Sequence, residues 1–194
     1  MARLKAPLMS LGARGQLGKS IIFSVWKGVD YAKEYATPSN PNTSAQQTQR
    51  GYFSDAVDVW HDGNFSSDDF SAWSLSARYA SKPMSGFNKL VKDYVDERVS
   101  GNTWLKIYDV TLTDNSEDVD ISATSSLSSG GTHKAYWGTS PTALINEVSL
   151  TNTSGTLEGT ISAPGSGVLI YCKIVSTDTG KGGNSGIYTH TNTA

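Results

Sequence analysis

Between residues 101 and 194 one pattern repeats seven times. A short run of β-branched and aromatic residues is followed by a cluster of Gly, Pro, Asn or Ser. Such punctuation predicts strands joined by turns. The runs are 104–113, 119–124, 134–138, 144–150, 155–161, 168–176 and 186–191. Alternation supports them, since Ile170, Cys172 and Ile174 interleave with Leu169, Tyr171, Lys173 and Val175. Period-two patterning places one set against a core and the other away from it. Seven short strands in one stretch predict two packed sheets. The composition of residues 101–194 agrees: 29 Ser/Thr and only four basic residues.

The first hundred residues read differently. Residues 1–19 are rich in Gly and small residues and show neither helical nor strand periodicity, which predicts an extended basic arm. Ile21-Ile22-Phe23-Ser24-Val25-Trp26 and Val29-Asp30-Tyr31-Ala32-Lys33-Glu34-Tyr35 flank Lys27-Gly28, a hairpin signal. Three apolar stripes at helical spacing follow the prolines at 38 and 41. The first runs through Tyr52, Phe53, Ala56, Val57 and Trp60. The second has Phe70, Trp73, Ala77 and Ala80, with Ser66 and Asp69 placed as a cap. The third has Phe87, Leu90, Val91, Tyr94 and Val95, with Ser85 before it. The expected organisation is an arm over 1–19, a hairpin-helical module over 20–100, and a β-sandwich over 101–194, with a boundary at about residue 101.

Charge divides unevenly along the chain. Residues 1–50 carry seven Lys/Arg against Asp30 and Glu34, a balance of +5, while residues 51–194 balance at −7. A basic arm before an acidic body suits docking on an acidic protein surface. Nucleic acid is disfavoured as partner, because the basic residues are not clustered. No apolar run is long enough to span a bilayer. A single cysteine, Cys172, excludes an internal disulfide framework and a cysteine-rich zinc site. His61-Asp62 has no nucleophile motif beside it, and the carboxylates of residues 114–120 lack an EF-hand register. The reading therefore expects no enzyme, no cofactor, no metal site and no catalytic residue. Its partner-binding candidates are Arg3, Lys5, Arg14, Lys19, Trp26, Lys27, Tyr31 and Tyr35.

Two resemblances extend this reading. Ala135-Tyr136-Trp137-Gly138-Thr139-Ser140-Pro141-Thr142-Ala143-Leu144 resembles the third strand and following turn of a fibronectin type III domain, within the immunoglobulin-like class. So do Pro164-Gly165-Ser166 leading into residues 168–176, and the Gly-rich stretch 178–186. The Trp usual in that family's second strand is absent near Ile121. The second resemblance is N-terminal. Gly15-Gln16-Leu17-Gly18, the Ile-Phe strand, Trp26-Lys27-Gly28, Asn40-Pro41-Asn42-Thr43, Gln46 and Arg50 resemble a module of small uncharacterised phage and prophage structural proteins.

That second resemblance implies a virion setting more than a mechanism. The expectation is a bacteriophage virion structural protein, most specifically a capsid-associated decoration or accessory protein. Its N-terminal module would anchor it, with the sandwich directed outward. A neck or tail component is the runner-up, and a carbohydrate-binding or adhesion module using Tyr136 or Trp137 is the different-class alternative. The partners implied are other virion proteins, either the major capsid protein or head and tail neighbours. A second copy of the chain and host-surface carbohydrate stay open.

Overall fold

A computed structural model describes residues 2–3, 14–37, 39–162 and 164–193. The chain divides into two compact units, Met1–Thr43 and Ser44–Ala194. Among the described residues the first holds four strands: β1 (Ala2–Arg3), β2 (Gly15–Leu17), β3 (Ile21–Trp26) and β4 (Val29–Glu34). They form one sheet in the order β1-β4-β3-β2. Short strands at both ends of the segment 1–19 therefore replace part of the arm expected there. Strands of two and three residues are too brief to show alternation in sequence.

The second unit begins with three helices, α1 (Ser44–His61), α2 (Ser67–Arg78) and α3 (Gly86–Val99). Two of their starts follow directly from the expected caps. Ser66 and Asp69 form a reciprocal capping box at α2: Asp69 N donates to Ser66 Oγ at 3.2 Å, and Ser66 N donates to Asp69 Oδ2 at 2.8 Å. Ser85 Oγ accepts from Asn88 N at 3.2 Å at the start of α3. The helices share a core of Ala56, Phe65, Trp73, Leu90, Val91 and Tyr94. Among the described residues, no helix is long and apolar enough to cross a membrane.

The strands that follow are β5 (Thr103–Trp104), β6 (Ile107–Asn115), β7 (Asp118–Ser125), β8 (His133–Gly138), β9 (Asn146–Thr153), β10 (Thr156–Ile161), β11 (Leu169–Ser176), β12 (Lys181–Gly182) and β13 (Tyr188–Thr191). Each expected run contributes a strand, the first one splitting into β5 and β6. Seven of them make an antiparallel sheet ordered β13-β11-β8-β9-β10-β7-β6. Residues 146–150 of β9 pair with β8, and residues 151–153 pair with β10, so one strand joins the two halves. Val119, Ile121, Ala135, Leu157, Ile170, Cys172 and Ile174 meet in a single core drawn from both halves. The two ends of the sheet also approach each other. His190 Nε2 lies 2.5 Å from Asp114 Oδ1, and Thr193 N donates to Asp114 Oδ2 at 3.1 Å. Hydrogen bonds from Thr193 and then His190 hold the Asp114 carboxyl down to about 2. The fold is α+β, with a nearly closed β-rich part.

The boundary expected near residue 101 falls inside this second unit. Helices and strands share their cores there. Trp104 of β5 packs on Tyr94 of α3 with ring centroids 5.4 Å apart. Tyr108 of β6 packs on Phe65. Ala72 of α2 belongs to the sheet core, and its carbonyl accepts from Ile187 N at 3.1 Å. Gly186 permits that approach, since a Cβ there would stand 2.4 Å from the Ala72 carbonyl carbon. Limited proteolysis is accordingly expected to leave a resistant fragment beginning near Ser44, with helices and strands together. Accumulation of a fragment beginning near Gly101 would contradict the shared core.

His133 gives the unit a pH dependence. It is fully buried, and neither ring nitrogen has a hydrogen-bond partner among the described residues. Burial lowers its pKa below the ordinary 6.5, partly opposed by Asp178. The unfolded chain takes up a proton at about 6.5, while the folded one resists it. The stability this provides is complete above pH 6.5 and is lost as pH falls below it. Carboxylates with depressed pKa values, such as Asp114 and Asp178, act only below about pH 4. Melting curves between pH 8 and 5 are expected to show a falling Tm below 6.5 that His133→Leu removes. An unchanged slope in that variant would assign the effect elsewhere.

Candidate protein-docking surface

The N-terminal sheet is built around one tight turn. Lys27 and Gly28 both take positive φ, 50° and 77°. Two left-handed residues make the turn whose twist matches that of the flanking strands, and glycine reaches that conformation without a Cβ penalty. The turn fixes the register, with Trp26 opposite Val29, Ser24 opposite Tyr31 and Ile22 opposite Lys33. Residues directly opposite share a face. One face therefore carries Ile22, Ser24, Trp26, Val29, Tyr31 and Lys33. The other carries Ile21, Phe23 and Val25 with Asp30, Ala32 and Glu34, extended by Leu17 of β2, which sits opposite Ile21.

None of residues 14–37 and 39–43 is buried. Trp26 is 66% exposed, Leu17 54% and Ile21 40%. A sheet normally hides one face, because apolar burial contributes about 25 cal/mol per Å². Here both faces keep apolar side chains accessible. The unit is also basic: Arg3, Lys5, Arg14, Lys19, Lys27 and Lys33 stand against Asp30 and Glu34. Lys27 Nζ lies 5.0 Å from the centre of the Trp26 ring, a cation–π contact at the hairpin tip.

The predicted residues distribute over this sheet as follows. Trp26 and Lys27 form its exposed tip. Tyr31 and Tyr35 are half-buried, and Tyr35 N donates to Ser20 O at 2.8 Å, which extends the β3–β4 pairing by one position. Arg14 precedes β2, and Lys19 occupies the exposed turn between β2 and β3. The backbone of Arg3 pairs with Tyr31. Lys5 lies outside the described residues. Leu17 and Ile21 were missed as surface candidates. Their signal was Gly18, whose φ of 58° marks the turn that folds β2 back on β3.

Other chemistry-bearing residues are engaged structurally. Asp62 pairs with Lys106 and accepts from Asn64 N at 3.1 Å. Burial tends to raise its pKa, but these partners outweigh that and leave it lowered. Asp120 accepts from Asn115 Nδ2 and Thr160 Oγ1, both at 2.8 Å. Burial pushes the Cys172 thiol up to about 12, so it stays protonated in the sheet core. Trp137 packs against that same core. No family model matches this chain, and no curated protein matches it.

Proposed function

We propose that this chain is a non-catalytic structural protein that attaches to a bacteriophage particle through its N-terminal sheet, as a capsid-associated decoration or accessory protein. The carrying observation is a sheet in which no residue of β2, β3 or β4 is buried, with Trp26 two-thirds exposed at its tip. Trp is the side chain most enriched where interfaces concentrate their binding energy. The basic excess of the unit favours an acidic protein face and speeds encounter with it. The virion setting rests on the phage-module motifs, from Gly15 through Trp26-Lys27-Gly28 to Arg50.

The β-rich part is read as an immunoglobulin-like, fibronectin type III-like sandwich. Two strand sets support this reading, β6-β7-β10-β9 and β8-β11-β13. They follow the A-B-E-D and C-F-G orders of that class. Trp137 on the third strand lies opposite Cys172 on the sixth, where such domains place a core Trp beside a cysteine position.

Trp26→Ala tests the attachment. Truncating a central interface Trp costs about 2 kcal/mol or more, roughly thirtyfold in affinity. Co-sedimentation with purified phage particles is expected to weaken by that factor, while the Tm stays within about 2 °C of the parent because Trp26 is not in a core. Unchanged sedimentation, or a fall in Tm matching the fall in binding, would overturn the assignment.

A further inference from the structure

We propose that the N-terminal sheet stacks on the same sheet of a second copy of this chain, one face on the opposite face, so that copies associate head to tail. This rests on the reading of the sheet as a docking surface, and not on the virion setting. The two faces differ in charge. Asp30 and Glu34 lie on the face that carries Phe23 and Ala32, whereas Lys33 lies on the face that carries Ser24 and Tyr31. These are the charged residues of β2, β3 and β4, so both carboxylates share one face and the lysine has the other. Lys27 adds a cation at the tip of the basic face, where its Nζ stands over the Trp26 ring. Among the described residues, Asp30, Lys33 and Glu34 have no ion pair. An acidic face and a basic face on one sheet make two copies complementary to each other.

Side-chain size selects the direction of stacking. β3 presents Phe23 on the acidic face and Ser24 on the basic face, while β4 presents Ala32 and Tyr31 in the same order. Stack two sheets with their strands in the same direction and slide one by a residue, and β3 lies over β3 and β4 over β4. Phe23 then meets Ser24, and Ala32 meets Tyr31. A large side chain faces a small one at both positions, as interdigitating layers require. The same slide sets Glu34 over Lys33 and brings Asp30 to the tip, beside Lys27. Reversing the strands about the same centre would set Phe23 on Tyr31 and Ala32 on Ser24. That crowds one position and empties the other.

The contact is asymmetric, because each copy uses a different face toward each neighbour. Such contacts close into rings or extend into rows. Three strands of about six residues cover about 14 by 20 Å, less than the roughly 800 Å² per partner of a standard interface. One contact is therefore weak, and closure or a shared support strengthens it. Stacking covers the faces of the sheet and leaves the hairpin turn and the outer edge of β2 for the particle.

The test is sedimentation equilibrium of the full chain, without phage, from about 10 μM to about 1 mM in low salt, where charge is least screened. The average mass is expected to rise with concentration past that of a dimer. Lys33→Glu and Glu34→Lys each set like charges against each other and are expected to weaken association about fivefold. Both positions are exposed, so neither variant is expected to lose its fold. Mixed in equal amounts, the two variants are expected to associate as the parent does, because each supplies the charge that the other's face lacks. A single-chain mass at about 1 mM, or a mixture no stronger than its components, would overturn the proposal. A chain that stays monomeric yet sediments with particles would overturn stacking alone, and one that self-associates without sedimenting would overturn only the particle attachment.

Discussion

Asp69→Ala is expected to be among the most damaging single substitutions in this chain, lowering stability by about 4 kcal/mol. The carboxylate is fully buried and accepts four hydrogen bonds. Oδ2 takes Ser66 N at 2.8 Å and Ser66 Oγ at 3.0 Å, while Oδ1 takes Asp109 N at 2.9 Å and the Tyr188 hydroxyl. Alanine strands these donors, and each buried donor left without a partner costs about 1–3 kcal/mol. Burial, and then the bond to Asp69, raise the Tyr188 pKa, so its hydroxyl remains a donor throughout the working range. The substitution also removes half of the α2 capping box and the partner of Asp109, whose φ is 54°. Asp69→Asn is expected to recover less than half of the loss, because its amide group opposes the Ser66 donors with donors of its own. Tyr188→Phe deletes a single bond and is expected to cost about 1 kcal/mol. Urea unfolding of the three variants checks this order. Asp69→Ala within about 1 kcal/mol of the parent would mean that these bonds contribute little.

Trp73→Ala is expected to cost about 3–5 kcal/mol, the usual range for emptying a large aromatic site. Trp73 is 1% exposed and sits among Ala56, Phe65, Leu90, Val91, Tyr94 and Trp104. That cluster draws on all three helices and on β5, with Tyr108 of β6 packed against it. Its loss should therefore be felt by strands as well as helices. Far-UV circular dichroism and the fluorescence of the remaining tryptophans are expected to report one shifted urea transition. Two separated transitions, helices first, would show that helices and sheet do not form a single cooperative unit. Trp73→Phe is expected to be milder than its volume loss suggests, because Trp73 Nε1 has no hydrogen-bond partner among the described residues and phenylalanine removes that donor.

The strands were legible because each buries alternate residues. In β11, Ile170, Cys172, Ile174 and Ser176 are buried, and their neighbours are not fully so. The caps at Ser66 and Ser85 were legible because both partners lie within three residues. Asp69 was legible only as a cap. Its other partners stand 40 and 119 residues away, and local pattern carries no trace of such separations. The packing of helices and strands into shared cores across residue 101 was not legible for a related reason. Trp104 and Tyr108 continue an alternating run, yet they pack on helical aromatics, and only tertiary contact reveals that. In the N-terminal sheet, the pairing of the strands that carry Trp26 and Tyr31 was legible through the hairpin turn at Lys27-Gly28. The pairing of Leu17 with Ile21 was not, since β2 has three residues and shows no period.

The most direct measurement is cryo-electron microscopy of phage particles carrying this protein. The account predicts that the sheet of β2, β3 and β4 lies against another virion protein, with the Trp26 ring covered and the β-rich part directed away from the shell. Density in which that sheet faces solvent while the 44–194 unit makes the attachment would contradict it.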